Sequence, residues 1–93
     1  MAEDPISMMV VVTGRVQGVG YRAWVQRRAE AGGLAGWVRN EPDGSVAAQI
    51  EGPETAVDDM LTEMKSGPPL ARVDRLTALP GALTDAPGFE ILA

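Results

Sequence analysis

Nine consecutive residues near the start of the chain, Gly14-Arg15-Val16-Gln17-Gly18-Val19-Gly20-Tyr21-Arg22, combine what an anion site needs. Glycine lets a backbone turn its amides inward, so the N–H groups of Arg15, Val16, Gln17, Gly18, Val19, Gly20 and Tyr21 can converge on one point. If a helix starts at Tyr21, its unpaired first-turn amides and positive dipole end suit a phosphate dianion. Arg22 then stands in that first turn, where an exposed cation opposes the dipole at a cost of about 0.3–1 kcal/mol. A bound anion would offset this. Helical side chains lean toward the N-terminus, so the Arg22 guanidinium projects back over the loop and can grip phosphate bidentately. The plainer alternative is a surface arginine paired with a carboxylate.

The rest of the composition narrows the chemistry. The chain has no cysteine and no histidine. Disulfides, thiolate metal sites and cysteine nucleophiles are thereby excluded, and the commonest zinc ligand and general base are missing. No metal and no cofactor are expected; catalysis must use Arg, Asn, carboxylates and backbone amides. Net charge is -5, yet Arg15, Arg22, Arg27, Arg28 and Arg39 share the stretch from Pro5 to Asn40 with Glu30 alone. A basic segment on an acidic protein points to a local anion site and away from a nucleic-acid surface. An RNA-binding sheet would also need exposed stacking aromatics. The chain has four aromatics, and Trp24 and Phe89 read as core.

Two nucleotide motifs come close and fail. Gly18-Val19-Gly20-Tyr21-Arg22-Ala23 fits G-x-G-x-x-A, with Glu41 about 20 residues onward, but the further βα units of a doubly wound sheet are missing. A Walker loop is excluded because no Gly-Lys-Ser/Thr follows the glycines.

The elements that must position this loop are readable from periodicity. Met8 to Thr13 is a short, β-branched, continuous apolar run, which predicts a central strand covered on both faces. Tyr21, Trp24, Val25 and Ala29 recur at helical spacing up to the stop at Gly32-Gly33. Leu34 to Arg39 reads as a second strand, Glu41-Pro42-Asp43-Gly44 as a tight turn, and Ser45 to Glu51 as a strand with Val46, Ala48 and Ile50 on its inner face. A second helix runs from Pro53 to Gly67 with Val57, Met60, Leu61 and Met64 as its buried stripe; methionines so spaced are core filler. Arg72 to Leu79 is a strand in which Val73 and Leu76 break alternation, so a bulge or a late start is expected. Phe89 and Ile91 alternate in a short last strand.

The order β-α-β-β-α-β plus one short strand predicts an α+β ferredoxin-like split βαβ sandwich, an antiparallel sheet of four to five strands with two helices on one face. Residues 1–7 read as a flexible tail ahead of a single domain over 8–93. The run Met8 to Val12 is too short for a signal peptide or a membrane span, so a cytoplasmic location and no membrane partner are expected. This topology gives Asn40 its interest. In a split βαβ unit the first two strands run parallel with the third between them, so their C-terminal ends reach one sheet edge about 10 Å apart. Asn40 and Arg22 could span that gap and leave room for a phosphoryl group and a water. Taken alone, Asn40 reads as a turn former.

Gly14 to Arg22, GRVQGVGYR, and Gly36 to Gly52, GWVRNEPDGSVAAQIEG, closely resemble the two signature motifs of the acylphosphatase family. The resemblance extends through the second helix to Phe89-Glu90-Ile91. It implies hydrolysis of the carboxyl–phosphate bond of acyl phosphates, giving a carboxylate and inorganic phosphate. It further implies that Arg22 and the 15–21 loop amides bind phosphate and that Asn40 orients the water. Three departures stand out: Tyr21 where phenylalanine is commoner, Glu41 beside the water site, and the Leu92-Ala93 ending. The expected partners are the small-molecule acyl phosphate and inorganic phosphate, with the protein a monomer. The rival reading is a non-catalytic anion-binding or regulatory module, since domains of this family also occur within larger carbamoyl-transferring proteins.

Overall fold

The computed structural model describes residues 3–93. Its elements are β1 (Pro5–Arg15), α1 (Tyr21–Ala31), β2 (Ala35–Asn40), β3 (Val46–Pro53), α2 (Glu54–Ser66), β4 (Arg72–Pro80) and β5 (Phe89–Ile91). The sheet order is β4-β1-β3-β2-β5, and both helices pack on one face. This is the ferredoxin-like α+β sandwich. The first four strands pair antiparallel, but β5 adds to β2 in parallel, so the five-stranded sheet is mixed and not wholly antiparallel.

The core lies between sheet and helices. Val10 and Val12 of β1, Val38 of β2, and Val46, Ala48 and Ile50 of β3 meet Tyr21, Val25 and Ala29 of α1 and Val57, Met60 and Met64 of α2. Leu61 and Trp24 only border this core. Trp24 lies instead under the Arg28 guanidinium, 5.4 Å from the ring centre, which covers its outer face. Helix α1 stops as its Gly-Gly pair predicts. Leu34 N–H donates to Ala29 O at 2.8 Å and Gly33 N–H to Glu30 O at 3.1 Å, the paired bonds of a Schellman ending. Among the described residues no helix is long and apolar enough to cross a membrane.

Three expectations change. Residues 5–7 do not belong to a flexible tail: β1 already begins at Pro5, and Ile6 and Ser7 pair with Gly52 and Glu51. Even Glu3 is anchored, its Oε1 accepting from Thr55 N–H at 3.2 Å and Thr55 Oγ1 at 2.8 Å. That carboxylate does the work of a helix cap where Pro53 supplies none. Met1 and Ala2 lie outside the described residues.

The second change concerns the two inner strands. The apolar run of β1 is covered on one face, with Met9 and Val11 exposed on the other, whereas the alternating β3 is buried on both. The cause is the 81–88 connection, which must carry the chain from β4 at one sheet edge to β5 at the other. It is bonded to β3 on the way. Gln49 donates to Ala82 O and Ser7 Oγ, both at 2.9 Å, and accepts from Trp37 Nε1 at 3.0 Å. Glu51 accepts from Thr84 N–H and Thr84 Oγ1, both at 2.6 Å. The polar side chains of β3 are thus buried by the strap they hold. The third is a resolution of the two options for β4: it carries a bulge, since Thr13 faces Arg75 and Gly14 faces Val73, so that Asp74 falls outside the ladder.

For the site, one register matters most. Asn40 of β2 and Val12 of β1 both lie opposite Val46 of the intervening β3. The C-terminal ends of β1 and β2 therefore reach the same sheet edge, and α1 begins above it.

Candidate active site

At this edge lies a cavity of about 210 Å³ lined by Val16, Gly18, Gly20, Tyr21, Arg22, Ala23, Asn40 and Ile91. Arg22 and Asn40, from different elements and 18 residues apart in sequence, share it.

The loop folds as its glycines dictate. Gly18 and Gly20 have φ of 73° and 79°, values that L side chains rarely adopt, and a Cβ at either position would meet nothing within 4 Å. Backbone conformation, not crowding, demands glycine there, and the space above both stays open. Gly20 is also the N-cap of α1, which has no side-chain cap and no acidic residue in its first turn. The first α1 hydrogen bond is Trp24 N–H to Gly20 O at 3.1 Å. Among the described residues, the amides from Val16 through Ala23 donate to no other protein group. A run of free N–H groups at a positive helix end is an acceptor-seeking concavity.

Arg22 is half-buried, and among the described residues it takes part in no ion pair, so the surface-pair alternative has no carboxylate to support it. Asn40 is half-buried too, yet its Oδ1 is fully enclosed without a hydrogen-bond donor. A buried carbonyl left unpaired costs about 1–3 kcal/mol.

The remaining loop residues divide by role. Val16 and Tyr21 are each only 1% exposed and belong to the core as well as to the cavity wall. The Tyr21 hydroxyl donates to Met64 O at 2.7 Å, and burial pushes its pKa well above the usual phenol range, so it stays protonated as an anchor. Val19 packs against the core, and Arg15 is exposed at the end of β1; neither side chain lines the cavity. Gln17 turns its side chain away as well, toward the β2–β3 turn. For Gln17 and Val19, only the backbone amides are available to an anion, while Arg15 still belongs to the β1–β4 pairing.

Glu41, adjacent to Asn40, does not line the cavity. Its carboxylate pairs with Arg39, whose guanidinium lies 4.8 Å from the Trp37 ring centre on the open sheet face. The neighbouring cation screens the charge that would otherwise repel an anion. Asp43 closes the turn. Its carboxyl is held below the usual range by the Ser45 hydroxyl, 2.6 Å away, and then by the Ser45 N–H at 2.9 Å. Two wall residues, Ala23 and Ile91, escaped the sequence reading. The Phe89–Ile91 alternation was visible, but the parallel docking of β5 beside β2 was not.

The acylphosphatase family's sequence model matches residues 8–91. An acylphosphatase of Rhodospirillum rubrum is 52% identical over 84 residues, covering 90% of this chain and 92% of that protein. Among solved structures, acylphosphatase from Bacillus subtilis superposes with a TM-score of 0.92 at 37% identity, over 95% of this chain and 99% of that one. The fold also recurs inside a larger protein: T. kodakarensis HypF matches 92% of this chain with 12% of its own, at 30% identity and a TM-score of 0.82. A family match over nearly the whole length, joined to a relative matched almost end to end, leaves one assignment: this chain belongs to the acylphosphatase family.

Proposed function

We propose that the chain hydrolyses acyl phosphates, with Arg22 and the amides from Arg15 to Tyr21 holding the phosphoryl group and Asn40 orienting the attacking water. The observation that carries this reading is the one cavity that Arg22 and Asn40 both line, with the Asn40 Oδ1 taking no hydrogen bond from the protein. A carboxamide whose oxygen is not committed to a protein donor can turn at the cavity wall to hydrogen-bond a water, which aims the water's lone pair at phosphorus. The water oxygen bonds to phosphorus as the P–O bond to the acyl group breaks. The bonding pair leaves with the carboxylate, and both water protons end on the phosphate. A carboxylate leaves readily without a general acid, so stabilising the phosphoryl oxygens and positioning the water suffice.

The groups this reaction needs, Arg22, Asn40 and the loop amides, are all supplied by one chain, which supports a monomer as the working unit. The test is hydrolysis of acetyl and benzoyl phosphate by the purified chain in excess chelator. Turnover is expected. Phosphate binding without turnover would sink the reading in favour of an anion-binding module.

A further inference from the structure

The phosphoryl cradle and the water site lie on different segments, the β1–α1 loop and the end of β2. One side chain joins them. Gln17 Nε2 donates to the carbonyl oxygens of Glu41 and Ser45, each at 2.8 Å. Both partners are acceptors, so the NH2 side of the carboxamide must face them. The same two residues close the turn on itself: Glu41 N–H donates to Ser45 O at 2.9 Å and Gly44 N–H to Glu41 O at 3.1 Å. Gln17 therefore clips the middle of the cradle to both ends of the turn that begins next to Asn40. The charged groups of that turn are engaged elsewhere, Glu41 with Arg39 and Asp43 with Ser45. The contact is neutral, and it places no extra charge beside the anion site.

We infer that Gln17 is a positioning residue for the hydrolysis: its carboxamide sets the spacing between the phosphoryl cradle and Asn40, and so acts on the attack of water and not on phosphate affinity. This rests on the acyl phosphate hydrolysis proposed above. The side chain does not reach the substrate; it works through two backbone carbonyls and the residue beside them.

The test compares Gln17→Leu and Gln17→Glu with the wild-type chain, using benzoyl phosphate hydrolysis and competitive inhibition by inorganic phosphate. Both variants are expected to lose about tenfold to a hundredfold in kcat at neutral pH, while the inhibition constant for phosphate stays within about threefold. The glutamate variant adds a readout that a general loss of structure would not give. Its carboxylate faces two carbonyl oxygens, so it takes up a proton above the ordinary value of about 4.3 and regains one donor. Its kcat relative to wild type should rise severalfold between neutral pH and about pH 5, while the leucine variant stays flat. Taking the ratio to wild type at each pH cancels what the other carboxylates of the turn, Glu41 and Asp43, contribute to both proteins. Wild-type kcat in both variants, phosphate inhibition weakening in step with kcat, or a flat ratio for Gln17→Glu would each overturn the role. A wild-type chain without turnover overturns the hydrolysis beneath it. A competent wild type with unaffected variants removes Gln17 alone.

Discussion

Two buried polar clusters occupy opposite ends of the same sheet and are built on opposite rules. At the strap end, Ser7, Gln49 and Glu51 are 4–6% exposed, and Gln49 and Glu51 bond to the strap at Ala82 and Thr84. At the cavity end, the Asn40 carboxamide oxygen and a run of loop amides have no protein partner among the described residues. The first cluster uses its hydrogen-bonding capacity to hold the chain together. The second keeps that capacity free for a ligand. A satisfied polar group can stabilise a fold, whereas an unsatisfied one is tolerated where something else arrives to satisfy it.

Substitutions at the two ends should therefore separate rate from stability. The largest effect is expected for Arg22→Ala, which removes the side-chain cation of the cavity wall. Losing one well-placed donor costs about 2.7–4 kcal/mol in the transition state, so kcat/KM for benzoyl phosphate should fall at least about a hundredfold. Near-wild-type turnover would end the assignment. Asn40→Ala comes next: turnover should drop by more than about tenfold, phosphate inhibition should persist, and the melting temperature should not fall, because the variant deletes an acceptor that lacked a partner. Abolished phosphate affinity would make Asn40 a binding group instead.

At the other end the pattern should invert. Glu51→Leu leaves the Thr84 N–H and hydroxyl without their acceptor and should destabilise the fold by about 1–3 kcal/mol. For a chain of this length each kcal/mol lowers Tm by roughly 4–8 °C, which thermal unfolding will read. Activity per folded molecule should stay unchanged, and a selective loss of kcat would erase the contrast. The smallest effect belongs to Asp43. Its folded-state pKa lies below the unfolded one, so its contribution is complete above the ordinary Asp value of about 3.9 and disappears as pH falls through the lowered folded value. Urea unfolding of Asp43→Asn should show a stability gap to wild type that is constant at neutral pH and closes only below that range. A gap already closing near neutrality would contradict it.

The strap end was the less legible of the two from sequence. Helical spacing, the Gly-Gly stop, the hairpin turn and the Gly-rich loop are local signals, and each placed its element within a residue or two. The pairing of Arg22 with Asn40 followed from topology once the split βαβ order was read. What failed was non-local. Nothing in Gly81 to Gly88 announces that it crosses β3, so Gln49 and Glu51 looked like solvent-facing positions of an alternating strand. The continuous apolar run of β1 looked covered on both sides for the same reason: burial on the open face depends on where a polar connection travels. Pro5 to Ser7 were missed because a strand can extend past its apolar residues wherever a partner backbone continues, as β3 does to Pro53. Ile91 reached the cavity wall through a parallel pairing that a three-residue strand could not advertise.

The Tyr21 hydroxyl has an effect beyond its own ring. The Met64 carbonyl it meets belongs to the last turn of α2, where intrahelical donors have run out, and Gly67 N–H already serves Glu63. One phenol thus finishes one helix while standing as the opening residue of the other. Fraying of α2 at its end would be felt at the first turn of α1, where Arg22 sits, so the stiffness of the anion grip is inherited from a segment more than forty residues downstream that never touches the anion.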